Sequence, residues 1–121
     1  MTAMTKDGGA ILPARHARQP WDAMEWLADE RARPGTGLSL ARMTVHAGAV
    51  SPAHSHPDCT EVIHVLAGEI EQRIGDAVHR IAAGGTCLVP PGAIHASRAL
   101  GSGDAVLIVA YSSGSRTYRP A

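Results

Sequence analysis

The sequence predicts an all-β domain, a sandwich or barrel of short strands, and three observations carry the prediction. From Leu38 onward, short apolar or alternating runs recur between Gly and Pro: LSLARMTVH, EVIHVLAGEIEQRI, AVHRIAA, TCLVP, IHASRAL and AVLIVAY. Runs of that length, bounded by residues that turn the chain, are the pattern of strands in sandwiches and barrels. The composition agrees: 45% of residues are apolar but only 3% are aromatic, with no Phe and 13 Gly, so the core must be built from Val, Ile, Leu, Ala and Met. The third observation is the turn chemistry, with Gly75-Asp76 set for a tight hairpin and Gly101-Ser102-Gly103-Asp104 for a second reversal.

Taken in order, the elements divide the chain into an N-terminal arm, residues 1–37, and a β domain, residues 38–121. Within the arm, WDAMEWLADERA at residues 21–32 has a helical look: Asp22 can cap it, and Met24, Leu27 and Ala28 share a face. The RPGTG that follows ends any helix and opens a loop. The arm is expected to lie on the main fold. Beyond Gly37 every run is strand-like, and AVLIVAY, apolar on both parities, suits a strand held between layers.

With 121 residues, one core accounts for the whole chain. The formal net charge is zero, so no basic field is available for nucleic acid or anionic lipid. The first twenty residues have no continuous apolar run like that of a secretory signal, and no later stretch reaches membrane-spanning length. A cytoplasmic protein with neither nucleic acid nor membrane as partner is expected. Cys59 and Cys87 are too few for a disulfide framework and are expected to be thiols.

Chemistry concentrates in SPAHSHPDCTE, residues 51–61. In an extended strand, His54 and His56 project from the same face, about 7 Å apart along the backbone, so both imidazoles can meet one ion. Glu61 follows beyond the Pro57-Asp58 turn and returns against the pair if the chain reverses there. His95 comes three positions after the rigid Pro90-Pro91-Gly92 turn, at the start of another strand. Three neutral nitrogens and a carboxylate make a site for a first-row transition metal.

At these residues the chain resembles the cupin superfamily. Gly48, His54, His56, Glu61 and Gly68 match its first motif at every fixed position, and Gly84, Pro90, Gly92 and His95 match its second. Ala99 stands where that pattern usually has Asn, a departure that falls on the strand beyond the site. The fifteen residues from Glu69 to Ala83 between the motifs are similar to the short spacer of a small single-domain cupin. The resemblance covers residues 38–111 and is closest in flavour to the quercetin dioxygenase-like members. It implies an antiparallel double-stranded β-helix, or jelly-roll barrel, holding one divalent transition metal (Fe, Mn, Ni, Cu or Zn) through His54, His56, Glu61 and His95. Glu61 is either a ligand or a catalytic base.

An alternative ligand set of His54, His56, Cys59 and Cys87 would close a zinc site but leaves Glu61 and His95 unexplained. His64 falls on the opposite strand face from Glu61 and is expected to pack or meet a partner. An apolar wall of Ile63, Val65, Leu88 and the AVLIVAY strand is expected beside the ion. Arg98 should face outward by alternation from His95, with Ser97 and Ala99 inward, and Arg42 has no assigned face. The tail YSSGSR, residues 111–116, has no paired base and is expected to be a solvated loop.

The leading functional expectation is a mononuclear metal-dependent dioxygenase of a small organic molecule. The alternatives are a metal-dependent isomerase, lyase or decarboxylase, and a sugar- or metabolite-binding protein without turnover. A homodimer is expected through an outer face that includes Val62, His64 and Leu66.

Overall fold

In the computed structural model, which describes residues 3–121, the described residues form thirteen strands and no helix. In order these are β1 (Ala3–Met4), β2 (Ala10–Ile11), β3 (Arg15–Arg18), β4 (Asp22–Ala28), β5 (Ser39–Val45), β6 (His54–Ser55), β7 (Glu61–Ala67), β8 (Glu69–Ile74), β9 (Ala77–Ala82), β10 (Thr86–Val89), β11 (His95–Ala99), β12 (Ala105–Tyr111) and β13 (Arg119–Pro120). Two antiparallel sheets face each other. One runs β10-β7-β12-β5-β4-β3, the other β13-β6-β11-β8-β9, and β1 and β2 form a separate small ribbon.

Alternation along the central strands builds the core. In AVLIVAY, Ala105, Leu107, Val109 and Tyr111 are buried and the residues between them only half-buried. Ile63 and Val65 on β7 and Val45 on β5 complete one wall, and Ile70 and Ala99 come from the opposite sheet. Each such side chain, taken from water, contributes roughly 1.5–3 kcal/mol if aliphatic and of Val size or larger. The hairpin at Gly75-Asp76 joins β8 to β9 as expected, with Gly75 at φ 60°. Gly68, between β7 and β8, is required twice over. Its φ is 79°, and a Cβ there would meet the Asp104 carbonyl oxygen at 2.8 Å.

The helix expected over residues 21–32 is a strand. Asp22–Ala28 pairs with β3 on one side and β5 on the other, with Met24 opposite Met43 and Glu25 opposite Arg42. Its Ala, Met, Glu and Leu favour a helix, but a period of two was also present: Asp22, Met24 and Trp26 alternate, and all three face the space between the sheets. Pairing on both edges outweighs the weak propensity of a short segment. Thus β3 and β4 extend the larger sheet, and Trp26 packs 5.9 Å from Tyr111.

Leu88 also departs from expectation. It pairs with Val62 rather than Ile63, which puts it on the outer face of the sheet, 57% exposed. Ile63 does face the inner space, and Val65 lies fully buried in the core beside it.

Candidate metal centre

Pairing of the strands brings the chemistry together. His95, first residue of β11, lies directly opposite His54 of β6. His56 follows two positions after His54, and Glu61 opens β7 on the other sheet. One ligand atom from each of His54, His56 and His95 lies within 4.8 Å of the others. Cys59 and Cys87 are not in this group. Both are free thiols, pushed up to about 11 chiefly by burial, so neither is prepared as a thiolate ligand.

Three backbone carbonyls orient the imidazoles. His54 Nδ1 lies 2.8 Å from the Pro52 oxygen, His56 Nδ1 2.8 Å from the Thr117 oxygen, and His95 Nδ1 3.0 Å from the Ala93 oxygen. A carbonyl only accepts, so each Nδ1 carries the hydrogen and each neutral ring turns its Nε2 lone pair inward. His56 Nε2, His95 Nε2 and Glu61 Oε1 are buried and have no hydrogen-bond partner. Glu61 Oε1 lies 2.9 Å from His95 Nε2 and 3.4 Å from His56 Nε2, but these contacts are not aligned as hydrogen bonds.

Buried polar atoms left unpaired are costly, by about 1–3 kcal/mol each. Several of them converging from one carboxylate and a set of oriented imidazoles fit a divalent transition metal. Electrostatics agree. Burial holds His54 down at about 4 and lowers His56 as well, keeping both neutral and available as ligands. Burial acts the same way on His95, but the adjacent Glu61 carboxylate outweighs it and raises that imidazole. A proton and a metal compete for the same Nε2.

The C-terminal tail closes the site. Strand β13 pairs with β6, Arg119 opposite Ser55 and Pro120 opposite His54. Asp58 accepts hydrogen bonds from the Thr117 backbone N–H, 3.0 Å from each carboxylate oxygen, and from the Thr117 hydroxyl at 3.0 Å. These bonds hold the Asp58 carboxyl below its ordinary value. Tyr118 stacks on His54 with ring centroids 4.6 Å apart, and Tyr111 meets His56 edge-on at 5.2 Å.

His54, His95 and Glu61 open onto a cavity of about 420 Å³ between the sheets, walled by Met24, Trp26, Met43 and Ile63. That size suits a small organic ligand. The tail expected to be a solvated loop in fact contributes buried Tyr111 and Arg116 to this cavity. Asp22, expected to cap a helix, also lines it, with Oδ1 unpartnered and its carboxyl raised by burial. Neither residue stood in a motif. Ser97 and Ala99 point inward and Arg98 outward, as alternation requires. Arg42 is exposed and takes no part. His64 contacts Thr86 across the β7–β10 pair instead of the site, Nδ1 to Oγ1 at 2.7 Å.

Fold and site together define a small antiparallel double-sheet barrel with a three-histidine cluster suited to a divalent metal. The Cupin domain family matches residues 41–111, and the chain belongs to it. The curated relatives include oxalate oxidase 1 of Hordeum vulgare, 30% identical over 121 residues, covering 91% of this chain and 57% of that protein. Germin-like protein 3-8 of Oryza sativa subsp. japonica is 37% identical over 82 residues, 64% of this chain and 36% of its own length. This chain therefore spans between about a third and somewhat over half of those relatives. A solved oxalate oxidase superposes with a TM-score of 0.76 at 27% identity, covering 88% of this chain and 59% of that one. A Bacillus subtilis oxalate decarboxylase variant gives 0.78 at 17% identity, covering 88% and 29%, a likeness of fold alone. The narrower likeness to quercetin dioxygenase-like cupins is not supported by these relatives.

Proposed function

We propose that this chain is a mononuclear metal-dependent oxidoreductase that uses dioxygen on a small metal-chelating organic molecule. The carrying observation is the set of three Nδ1-to-carbonyl contacts on His54, His56 and His95, whose ligand atoms cluster, with the buried Nε2 atoms of His56 and His95 at 3.4 and 2.9 Å from Glu61 Oε1. Those four residues would hold one divalent ion. A bound metal supplies Lewis acidity and, for a redox-active ion, an electron path between an organic ligand and oxygen. The protein does the rest. Met24, Met43 and Ile63 exclude water, Tyr118 covers His54, and a Glu61 oxygen left free by the ion would hold a proton from a bound hydroxyl or enol. Similarity to oxalate oxidases supports an oxidase or dioxygenase reaction.

A second reading has its own observation. Asp22 presents a buried, unpartnered carboxyl whose pKa is raised, which suits proton donation in a decarboxylation or isomerisation that consumes no oxygen. An oxygen electrode separates the two. The protein loaded with Mn, Fe, Ni or Cu and given enols, flavonols and small organic acids should consume oxygen, and Glu61→Gln should abolish the uptake. Equal turnover under argon would sink the dioxygen reading, and ligand recovered unchanged after hours would leave only a binding protein.

The same chain is proposed to form a homodimer. Val62, Leu66 and Leu88 are exposed together on the outer face of β7 and β10, and β10 is an edge strand. Sedimentation of a monomer at micromolar concentration would reject that assembly.

A further inference from the structure

Among the described residues, Arg116 is the one guanidinium that lines the cavity. Its Cζ lies 5.0 Å from the Trp26 ring, 5.1 Å from Tyr111 and 5.8 Å from Tyr118, so three aromatic faces hold it in place. Tyr118 and Tyr111 are in turn the rings that touch His54 and His56. The guanidinium therefore lines the same cavity as His54 and His95, linked to the histidine cluster through Tyr118 and Tyr111. The guanidinium donates toward the Tyr111 hydroxyl oxygen, but its Nε is buried without a hydrogen-bond partner, and no carboxylate among the described residues comes within ion-pair distance of it. Asp22, which shares the cavity, feels its charge but does not reach it.

Charge counting points the same way. A divalent ion and Arg116 together outnumber Glu61 and Asp22, so the loaded cavity keeps a surplus of positive charge that an anion would balance. A planar guanidinium with a free N–H, stacked and partly withdrawn from water, is built to take a carboxylate through charge-assisted hydrogen bonds. We propose that Arg116 determines substrate specificity, binding the carboxylate of an organic acid whose other end carries the metal-chelating oxygens and whose apolar body lies among Met24, Met43 and Ile63. This rests on the reading that a small chelating molecule binds the metal centre. It adds the substrate's class: an organic acid that carries a carboxylate besides its metal-chelating oxygens and is small enough for a cavity of about 420 Å³.

The test uses two probes of the same shape, 3,4-dihydroxybenzoate and 3,4-dihydroxybenzamide, titrated calorimetrically into the metal-loaded full chain, with Trp fluorescence quenching as a second readout. The wild type should prefer the carboxylate by about 10- to 100-fold, the size of a charged hydrogen bond gained or lost. Arg116→Gln should bring the two affinities together by weakening the carboxylate alone, with metal content unchanged, and Arg116→Lys should restore part of the preference. Equal affinity of the wild type for both probes, or a preference that survives in Arg116→Gln, overturns the role of Arg116 and leaves the metal centre standing. Binding of neither probe to protein that holds its metal overturns the substrate class together with the reading beneath it.

Discussion

Replacing Asp58 by Ala should weaken metal binding by up to roughly 10- to 100-fold while every histidine stays in the chain. The route runs through the tail. Asp58 holds the Thr117 N–H through both carboxylate oxygens and the Thr117 hydroxyl through one. The Thr117 carbonyl, in the same residue, fixes His56 by its 2.8 Å contact with Nδ1. Without Asp58, three hydrogen bonds are lost, the carbonyl drifts, and His56 is free to present either nitrogen. The Thr117 carbonyl is the direct partner of the ligand His56, and losing such a partner costs that much affinity; Asp58 acts through it, so this range is the ceiling for Asp58→Ala. Thr117→Ala is the matching control. It removes only the hydroxyl bond and keeps the N–H and the carbonyl, so its loss should be several-fold smaller. Competition with a chromophoric chelator at neutral pH measures all three proteins, and circular dichroism checks that each is folded. Wild-type affinity in Asp58→Ala would refute the argument that the tail orients His56.

Other expectations follow from the same geometry. Gly68→Ala combines a φ of 79° with a 2.8 Å clash against a carbonyl oxygen and should cost about 3 kcal/mol, or roughly 10 °C in Tm. Gly84→Ala, at φ 92° in open space, carries only the backbone strain and should cost about 1–2 kcal/mol, so equal losses on thermal melting would contradict the packing assigned to Gly68. Asp29 accepts from Arg15 at 2.8 and 3.3 Å and from the Ala32 N–H at 2.9 Å. Burial opposes its charge, but these donors outweigh it and hold the carboxyl below its ordinary 3.8. A lowered folded pKa means the contribution is whole above the unfolded value and fades as pH falls through the folded one. Asp29→Asn should therefore be less stable by about 1–2 kcal/mol near neutrality, with the gap to wild type narrowing below about pH 4 in acid-unfolding curves. A gap that widened in acid would reverse the sign.

The legible parts of the sequence were those where local pattern and tertiary demand agree. Alternation along AVLIVAY and HASRA gave both the strands and the faces they bury. Glycine placement gave the turns, since Gly48, Gly68, Gly84 and Gly92 all adopt positive φ. The spacing of His54, His56, Glu61 and His95 marked residues that β6, β7 and β11 then bring together. What stayed hidden depends on long-range pairing. Asp22–Ala28 carries helix-forming residues, and only the edges offered by β3 and β5 decide for a strand. Arg116 sits among Ser, Gly and Thr, and nothing local announces that β13 will pair beside His54 and bring it into the cavity.

The metal centre requires that the three imidazoles and Glu61 hold an ion. Elemental analysis of protein purified without a histidine tag, beside a His54→Ala, His56→Ala double variant prepared in the same way, measures this directly. The prediction is about one divalent transition metal per wild-type chain, from two imidazoles more than the variant retains, and essentially none in the variant. Metal-free wild type after reconstitution, or equal metal in both proteins, would contradict it.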